Sequence, residues 1–181
     1  MVTNILQYSW LIPIVPLVSS IFILIFSKRL QPIFSGIMAT VAMTSTFVFW
    51  VIGFLAFHGA HGEEVRRFYS AGYTWLHVGG FQVDFRFMFD PLSVIMVGFI
   101  TFVASLIHLY SIGYMKGDVR FSRFFAYLNL FAASMLTLVL GNNLLMTFLG
   151  WEGVGLCSYL LISFWFEKPS AAVAGKKAVV T

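Results

Sequence analysis

Glu152 is an ionisable residue that lies inside a long apolar stretch, about ten residues from the start of that stretch. A charge near the centre of a bilayer costs at least about 2.5 to 3.5 kcal/mol. The carboxyl group must therefore be protonated, face a basic partner or contact internal water. Each arrangement suits a group that gains and loses protons, so we expect Glu152 to be buried and to carry protons. The alternative is a neutral glutamic acid that locks helices together through a hydrogen bond.

His108 is a second ionisable residue in an apolar setting, seven residues from the end of its stretch. It belongs to a polar stripe, because spacings of three or four residues put Thr101, Ser105, His108 and Ser111 on one helix face. Histidine titrates near neutral pH and passes protons along chains of polar groups. We predict a proton relay at His108, and the pattern suits equally well a histidine that only hydrogen-bonds to a neighbouring helix.

Other kinds of chemistry find little support in the sequence. Cys157 is the single cysteine, which excludes an internal disulfide and a cysteine metal site. The nucleotide, metalloprotease and hydrolase motifs GxGxxG, P-loop, CxxC, HExxH and GxSxG do not occur. Lys176 and Lys177 follow the last apolar stretch, where they could be anchors at the membrane surface. We predict no cofactor or metal in this chain.

The composition predicts that membrane helices position these residues. Sixty per cent of the residues are hydrophobic and 10% are charged, whereas soluble domains carry about 25% charged residues. A span needs about 20 apolar residues, and five charge-free windows have that length: approximately residues 8–26, 33–57, 91–115, 121–140 and 143–166. A sixth helix begins near Ala171. We predict an all-α integral membrane protein with a single membrane domain, and a first span that is retained and is no signal peptide.

The distribution of lysine and arginine predicts the orientation of these spans. The connections after the first, third and fifth spans share one side and carry Lys28, Arg29, Lys116, Arg120, Arg123, Lys168, Lys176 and Lys177. The other side carries Arg66, Arg67 and Arg86 in a longer loop that also holds Glu63, Glu64, Asp84 and Asp90. We predict an extracytoplasmic N-terminus. This rule also accounts for the basic excess of +4 without nucleic-acid binding.

The long outer loop contains a pattern typical of strands, in residues 73–87. Gly79 and Gly80 divide two alternating runs, and glycine supplies the positive φ angles of a tight hairpin turn. We predict an extracytoplasmic β-hairpin between the second and third helices, whose apolar face, including Phe85 and Phe87, rests on helices or on a neighbouring subunit. Asp90 then caps the third helix ahead of Pro91.

Residues 148–166, FLGWEGVGLCSYLLISFWF, resemble the fifth helix of the L-subunit family of proton-pumping NADH:quinone oxidoreductase, respiratory complex I. Three further stretches agree with that family in the same order: FDPLS at residues 89–93, HLYSIGYM at 108–115 and RFFAYLNL at 123–130. The resemblance covers residues 89 to 181. Residues 1 to 88 match in layout more than in motif.

The resemblance implies roles for three residues. Glu152 corresponds to the family's intramembrane glutamate, which pairs with a lysine on a later helix during proton translocation. His108 matches a histidine of the third-helix motif, and Lys177 falls where a Lys-Ala pair opens the sixth helix. Family members are several times longer and contain two inverted five-helix repeats. The chain is therefore expected to be an incomplete first part of such a subunit, without the partner lysine.

The resemblance also implies the setting. The chain would be an enzyme component by membership in complex I, in a bacterial inner membrane, with flavin and iron–sulfur clusters held by other subunits. Expected partners are other complex I membrane subunits, above all a neighbouring antiporter-like subunit, together with lipids and protons. One rival is a subunit of a multi-subunit sodium/proton antiporter, although the glycines around Glu152 and the Cys-Ser-Tyr run after it favour the respiratory subunit. A purely structural membrane subunit is the other.

Overall fold

The computed structural model describes residues 7–59 and 67–180 of the chain. Glu63, Glu64 and Arg66 of the predicted outer loop lie outside the described residues. In chain order the elements are α1 (Leu11–Phe26), α2 (Pro32–Gly59), β1 (Phe68–Tyr69), β2 (Tyr73–Val78), β3 (Phe81–Phe85), β4 (Met88–Phe89), α3 (Pro91–Tyr114), α4 (Phe121–Leu140), α5 (Leu144–Ile162) and α6 (Pro169–Val180).

Within the described residues, α2, α3, α4 and α5 are long and apolar enough to cross a membrane. The helix α1 is also apolar but shorter, with 16 residues, and it begins at Leu11, where the sequence predicted a start near residue 8. Helix α4 covers the predicted residues 121–140. The protein is thus mostly helical, with two small sheets, as an all-α membrane protein should be.

Helix α5 ends at Ile162, four residues before the end predicted for the fifth span. The hydroxyl of Ser163 donates to Tyr159 O, and the chain then turns so that Phe164 is buried against α4. The residues that follow are apolar aromatics, which is why composition alone extends the span. The next helix, α6, starts at Pro169, slightly ahead of the predicted Ala171.

Helix α4 is the centre of the bundle and packs against α1, α2, α3 and α5. Its buried side chains include Phe125 and Leu136, each with no exposed surface. Helix α5 approaches it closely through glycines. A Cβ atom added at Gly150 would lie 2.5 Å from the backbone nitrogen of Leu138, and one added at Gly153 would lie 2.6 Å from Ser134 Oγ. The small residues of α5 therefore form its packing face, as expected for membrane helices.

The predicted hairpin is formed by β2 and β3, and its turn is at Gly79 and Gly80. Gly79 has φ +58°, in the left-handed region that glycine enters without strain. The strands pair antiparallel from Tyr73 with Phe85 to Val78 with Phe81. A second antiparallel pair, β1 with β4, was not predicted and closes the loop beside the bundle.

Phe85 of β3 packs against the apolar core of the chain's own helices, one of the two supports that the sequence allowed, whereas β2 is exposed along its whole length. Phe87 is buried in the same apolar core as Ile12 and Leu136, and its backbone bridges to Gly141. The side-chain amide of Asn143 donates to Asp84 O at 2.8 Å. These contacts attach the end of the hairpin to the turn between α4 and α5.

The start of α3 has the predicted cap. Asp90 Oδ1 accepts from Ser93 N at 2.7 Å, while Ser93 Oγ accepts from Asp90 N at 2.8 Å, and Pro91 follows at the first helical position. This reciprocal capping box satisfies amides that the helix leaves free. The cap fixes the first residue of α3, and with it the distance of each later residue, including His108, from that end of the helix.

Candidate functional site

Glu152 is the ninth residue of the 19 in α5, so it lies in the middle of an apolar helix. The expectation that its carboxyl group is buried is wrong for the described residues, because the side chain is exposed. The physical reason is the packing face of α5: Gly150, Gly153 and Cys157 point to α4, and Glu152 points to a different side. The glutamate is therefore deep in the span but at the edge of the described bundle.

The side chain of Glu152 lines an open groove of about 700 Å³ between α4, α5 and α6. Tyr159 and Ser158 are the other polar residues of the lining, and the remaining lining residues are apolar or glycine: Met135, Leu138, Trp151, Val154, Gly155, Leu156 and Ala178. Gly155 leaves open space, since an added Cβ would meet no atom within 4 Å. A carboxyl group in such a groove has few polar neighbours.

No basic side chain of the described residues pairs with Glu152. The two ion pairs found there join Arg86 to Asp84 and Arg120 to Glu167, both outside the apolar helices. Lys177 belongs to α6, which borders the groove through Ala178, but Lys177 itself lines a separate pocket beside Pro169 and Ser170. The structure does not place Lys177 in the Glu152 groove.

His108 is fully buried and belongs to a set of hydrogen bonds that joins three helices. Its Nδ1 lies 2.7 Å from Ala104 O in its own helix, and its Nε2 lies 2.8 Å from Asn129 Oδ1 in α4. Asn129 Nδ2 in turn donates to Ser19 Oγ in α1 at 3.0 Å. His108, Asn129 and Ser19 therefore form a continuous polar network inside an apolar bundle, called here the His108 network.

The polar side chains predicted to share one face of α3 lie toward the interior of the bundle, but they do not form a continuous hydrogen-bonded path. Thr101 and His108 have no exposed surface, and Ser111 is buried. The Thr101 hydroxyl donates to Val97 O, and that of Ser105 donates to Thr101 O, both within the helix. Of the bonded stripe members, His108 is the one that reaches another helix.

Helix α4 separates the two candidate groups. It presents Asn129 to His108 on one side, and it presents Met135 and Leu138 to the Glu152 groove on another. The structure thus brings His108 and Glu152 onto the same central helix without bringing them into contact. The described residues also contain no cluster of three or more potential metal ligands.

Sequence reasoning missed Asn129 and Ser19. A sequence signal existed for Asn129, because an amide in the middle of a 20-residue apolar helix is costly unless it is bonded. Ser19 had no comparable signal, since serine is common in membrane helices. Its partner lies 110 positions away in the chain.

Comparisons with known proteins agree with this architecture. Residues 75–125 match the family described as NADH-Ubiquinone oxidoreductase (complex I), chain 5 N-terminus. Residues 141–181 match the family described as NADH:quinone oxidoreductase/Mrp antiporter, TM.

Individual relatives carry related names. The chain is 45% identical over 174 residues to NADH-quinone oxidoreductase subunit L of Mycobacterium tuberculosis (strain ATCC 25618 / H37Rv), covering 96% of this chain and 27% of the relative. It is 51% identical over 122 residues to the protein of that name in Escherichia coli (strain K12), covering 67% and 19%. It is 41% identical over 177 residues to F(420)H(2) dehydrogenase subunit L of Methanosarcina mazei, covering 97% and 25%.

The chain thus spans about a quarter of the length of the curated relatives that it matches. The similarity covers nearly the whole of the chain in two of these relatives, and it includes the helix that carries Glu152. The chain belongs to the family of antiporter-like membrane subunits that includes subunit L of NADH-quinone oxidoreductase.

Proposed function

We propose that this chain acts in a membrane subunit of proton-pumping NADH:quinone oxidoreductase, and that Glu152 carries protons in that subunit. One observation supports this most directly: a carboxyl group stands in the middle of an apolar helix with no basic partner among the described residues. Such an acid is costly in a membrane, and acids of this kind usually mark ion or proton pathways.

The Glu152 groove suits a site that alternates between two charge states. A lone carboxyl group in apolar surroundings is stable when protonated, whereas a carboxylate there needs a cation or water. In this proposal a lysine from a later helix of the full-length subunit packs into the groove opposite Glu152. Approach and withdrawal of that cation would then favour loss and uptake of the proton.

His108 is the second group in the proposal. A buried histidine that bonds across helices can hold a proton or release it without moving the backbone. Lys177 lies outside the Glu152 groove, so in this proposal it acts apart from Glu152. Redox centres are assigned to other subunits, so this chain supplies proton-carrying side chains and no electron carrier.

The orientation in the membrane is also part of the proposal. Three Lys- and Arg-bearing connections meet at one end of the bundle, where Ser35 Oγ lies 2.7 Å from Ser122 Oγ and Arg120 binds both Glu167 and Phe164 O. We assign this end to the cytoplasm of a bacterial cell. The N-terminus and the hairpin are then extracytoplasmic, and neighbouring complex I membrane subunits, including an antiporter-like one, are the expected partners.

The test is Glu152→Gln in the full-length subunit of the assembled complex. Glutamine keeps the size and hydrogen bonding of the side chain but carries no exchangeable charge, so NADH-driven proton pumping into membrane vesicles should fall at least about ten-fold. NADH oxidation is measured on the same vesicles to show that the complex is assembled. Glu167→Gln is the matched control, because Glu167 is exposed and lies outside the apolar helices, and pumping should persist.

Unchanged pumping in the Glu152→Gln complex would leave the residue a purely structural role. The sodium/proton antiporter remains the second candidate, since the family matched at residues 141–181 includes Mrp antiporter subunits. Co-purification decides between the two complexes. The proposal requires flavin and iron–sulfur subunits to accompany the full-length protein, and their absence would favour the antiporter.

A further inference from the structure

Both ring nitrogens of His108 are hydrogen-bonded, so the partners of the ring determine which nitrogen carries a proton. We propose that Asn129 is a positioning residue whose side-chain amide turns over when His108 gains a proton, and that this turn passes the protonation state of His108 to Ser19 in α1. The use of that proton in translocation rests on the proposed function, whereas the coupling of Asn129 to His108 rests on their hydrogen bonds alone.

The first step concerns Nδ1 of His108. It lies 2.7 Å from Ala104 O, and a carbonyl oxygen can only accept a hydrogen bond. Nδ1 must therefore carry a proton in both the neutral and the cationic ring. The helix backbone selects this tautomer, so all change of protonation takes place at Nε2.

The second step concerns Asn129, whose amide faces Nε2. With Oδ1 toward Nε2, as in the structure, the amide accepts from the ring, and Nδ2 donates to Ser19 Oγ. Both ring nitrogens then donate, so this arrangement belongs to the imidazolium form. In the neutral ring Nε2 carries a lone pair, and its bond at 2.8 Å survives only if Nδ2 turns toward it.

The third step follows along the network to Ser19. When the amide turns over, Oδ1 faces Ser19 Oγ, and the serine hydroxyl changes from acceptor to donor. On protonation one proton passes from water to Nε2, where one N–H bond forms. On deprotonation that bond breaks and the proton returns to water, and every other change is a rotation. The amide oxygen and nitrogen are nearly equal in size, so the turn requires no repacking of the core.

The side chains around His108 leave the Asn129 amide as the group that can reorient when the ring gains a proton. The His108 ring also faces Phe125, with ring centroids 6.3 Å apart. Among the residues that the structure describes, no charged side chain and no other titratable one hydrogen-bonds to His108, Asn129 or Ser19. In a site of low dielectric constant such neutral dipoles dominate the response to a charge.

The test is magic-angle-spinning NMR of the full-length subunit in lipid bilayers, with histidine and asparagine labelled with ¹⁵N and ¹³C. Subtraction of the spectrum of a His108→Gln sample assigns the His108 signals. We expect the neutral ring to be protonated on Nδ1, the tautomer that is less common for free histidine. On acidification Nε2 should gain its proton at the same pH at which the Asn129 amide signals shift.

Two variants sharpen the result. Asn129→Asp offers only acceptor oxygens, so its carboxylate should hold His108 as imidazolium where the wild-type ring is neutral. Ser19→Ala should leave the tautomer intact but change the Asn129 signals. Ser20→Ala is the matched control, since Ser20 donates to Ala126 O outside the network, and it should change neither.

A neutral His108 protonated on Nε2, or Asn129 signals that stay constant while His108 titrates, would overturn the inference. The wild-type spectra decide this even if a variant fails to fold. Because the measurement reads tautomers and not pumping, it stands apart from the outcome of the Glu152→Gln experiment.

Discussion

At the scale of single residues, Asp84 shows how a carboxylate on the hairpin is stabilised in a different way from Glu152. It accepts hydrogen bonds from Gln82 Nε2 at 2.9 Å and from Thr74 Oγ1 at 2.8 Å. These bonds, Gln82 first, and the positive charge of Arg86 hold the pKa of Asp84 below its ordinary value of 3.8. Its negative charge is thus satisfied by strand neighbours.

This lowered pKa predicts a pH dependence for the hairpin. A depressed pKa means that Asp84 stabilises the folded hairpin fully above pH 3.8, and that the contribution is lost as the pH falls below that value. Amides of β2 and β3 should therefore exchange faster with deuterium on acidification, after correction for the intrinsic exchange rate.

The control for that measurement is Asp84→Asn. This variant should show faster exchange than wild type at neutral pH and should lack the acid-dependent component. An equal acid response in both proteins would assign the effect to another group.

At the scale of elements, α4 and α5 depend on small residues where they touch. Gly150→Ala puts a Cβ atom 2.5 Å from the backbone of Leu138, which cannot move as a side-chain tip can. We expect a loss of about 1 to 3 kcal/mol in the free energy of unfolding. Thermal or detergent-induced unfolding of the full-length subunit measures it.

The same substitution at Gly113 is the control. Gly113 lies near the end of α3, outside the Glu152 groove, and an added Cβ meets no atom within 4 Å there. Alanine is the better helix former by up to about 1 kcal/mol, so Gly113→Ala should be neutral or stabilising. Equal destabilisation by both variants would show that close helix approach is not the cause.

The elements also show how much of the fold could be predicted. The limits of α4 and the hairpin turn at Gly79 followed from apolar length and from glycine chemistry, both of which are local. The end of α5 did not, because Phe164 is apolar but leaves the helix to pack against α4. The β1–β4 pair was missed since its two-residue strands pair Phe68 with Phe89, far apart in sequence.

Prediction of the candidate site shows the same division. Glu152 and His108 were found because an ionisable residue within an apolar stretch is visible in the sequence alone. The partners of His108 come from two other helices, so only tertiary structure identifies Asn129 and Ser19. The exposure of Glu152 likewise depends on which face of α5 meets α4.

At the scale of the whole molecule, Asn143 connects the bundle to the hairpin. Its Oδ1 accepts from Met146 N at 3.0 Å and caps α5, while its Nδ2 donates to Asp84 O. Asn143→Ala removes both contacts, so we expect a loss of about 1 to 3 kcal/mol. Deuterium exchange should rise both in the first turn of α5 and in β3.

The control is Asn142→Ala, which removes one hydrogen bond to Asn143 Nδ2 and leaves the bonds of Asn143 to Met146 N and Asp84 O in place. It should leave exchange in β3 close to the wild-type level. A rise confined to α5 in the Asn143→Ala protein would show that the cap matters but the attachment of the hairpin does not.

The His108 network also has a consequence for biogenesis. Chains are synthesised and enter the membrane from the N-terminus, so Ser19 and His108 are in place before the helix that carries Asn129 arrives. Until then His108 Nε2 lacks its partner across helices, although Nδ1 is bonded within α3, and an unpaired polar nitrogen in lipid is costly. Insertion of α4 supplies hydrogen-bond partners to Ser19 in α1 and to His108 in α3 at the same time. The amide of Asn129 therefore joins the polar side chains of α1 and α3 only after α4 has been inserted.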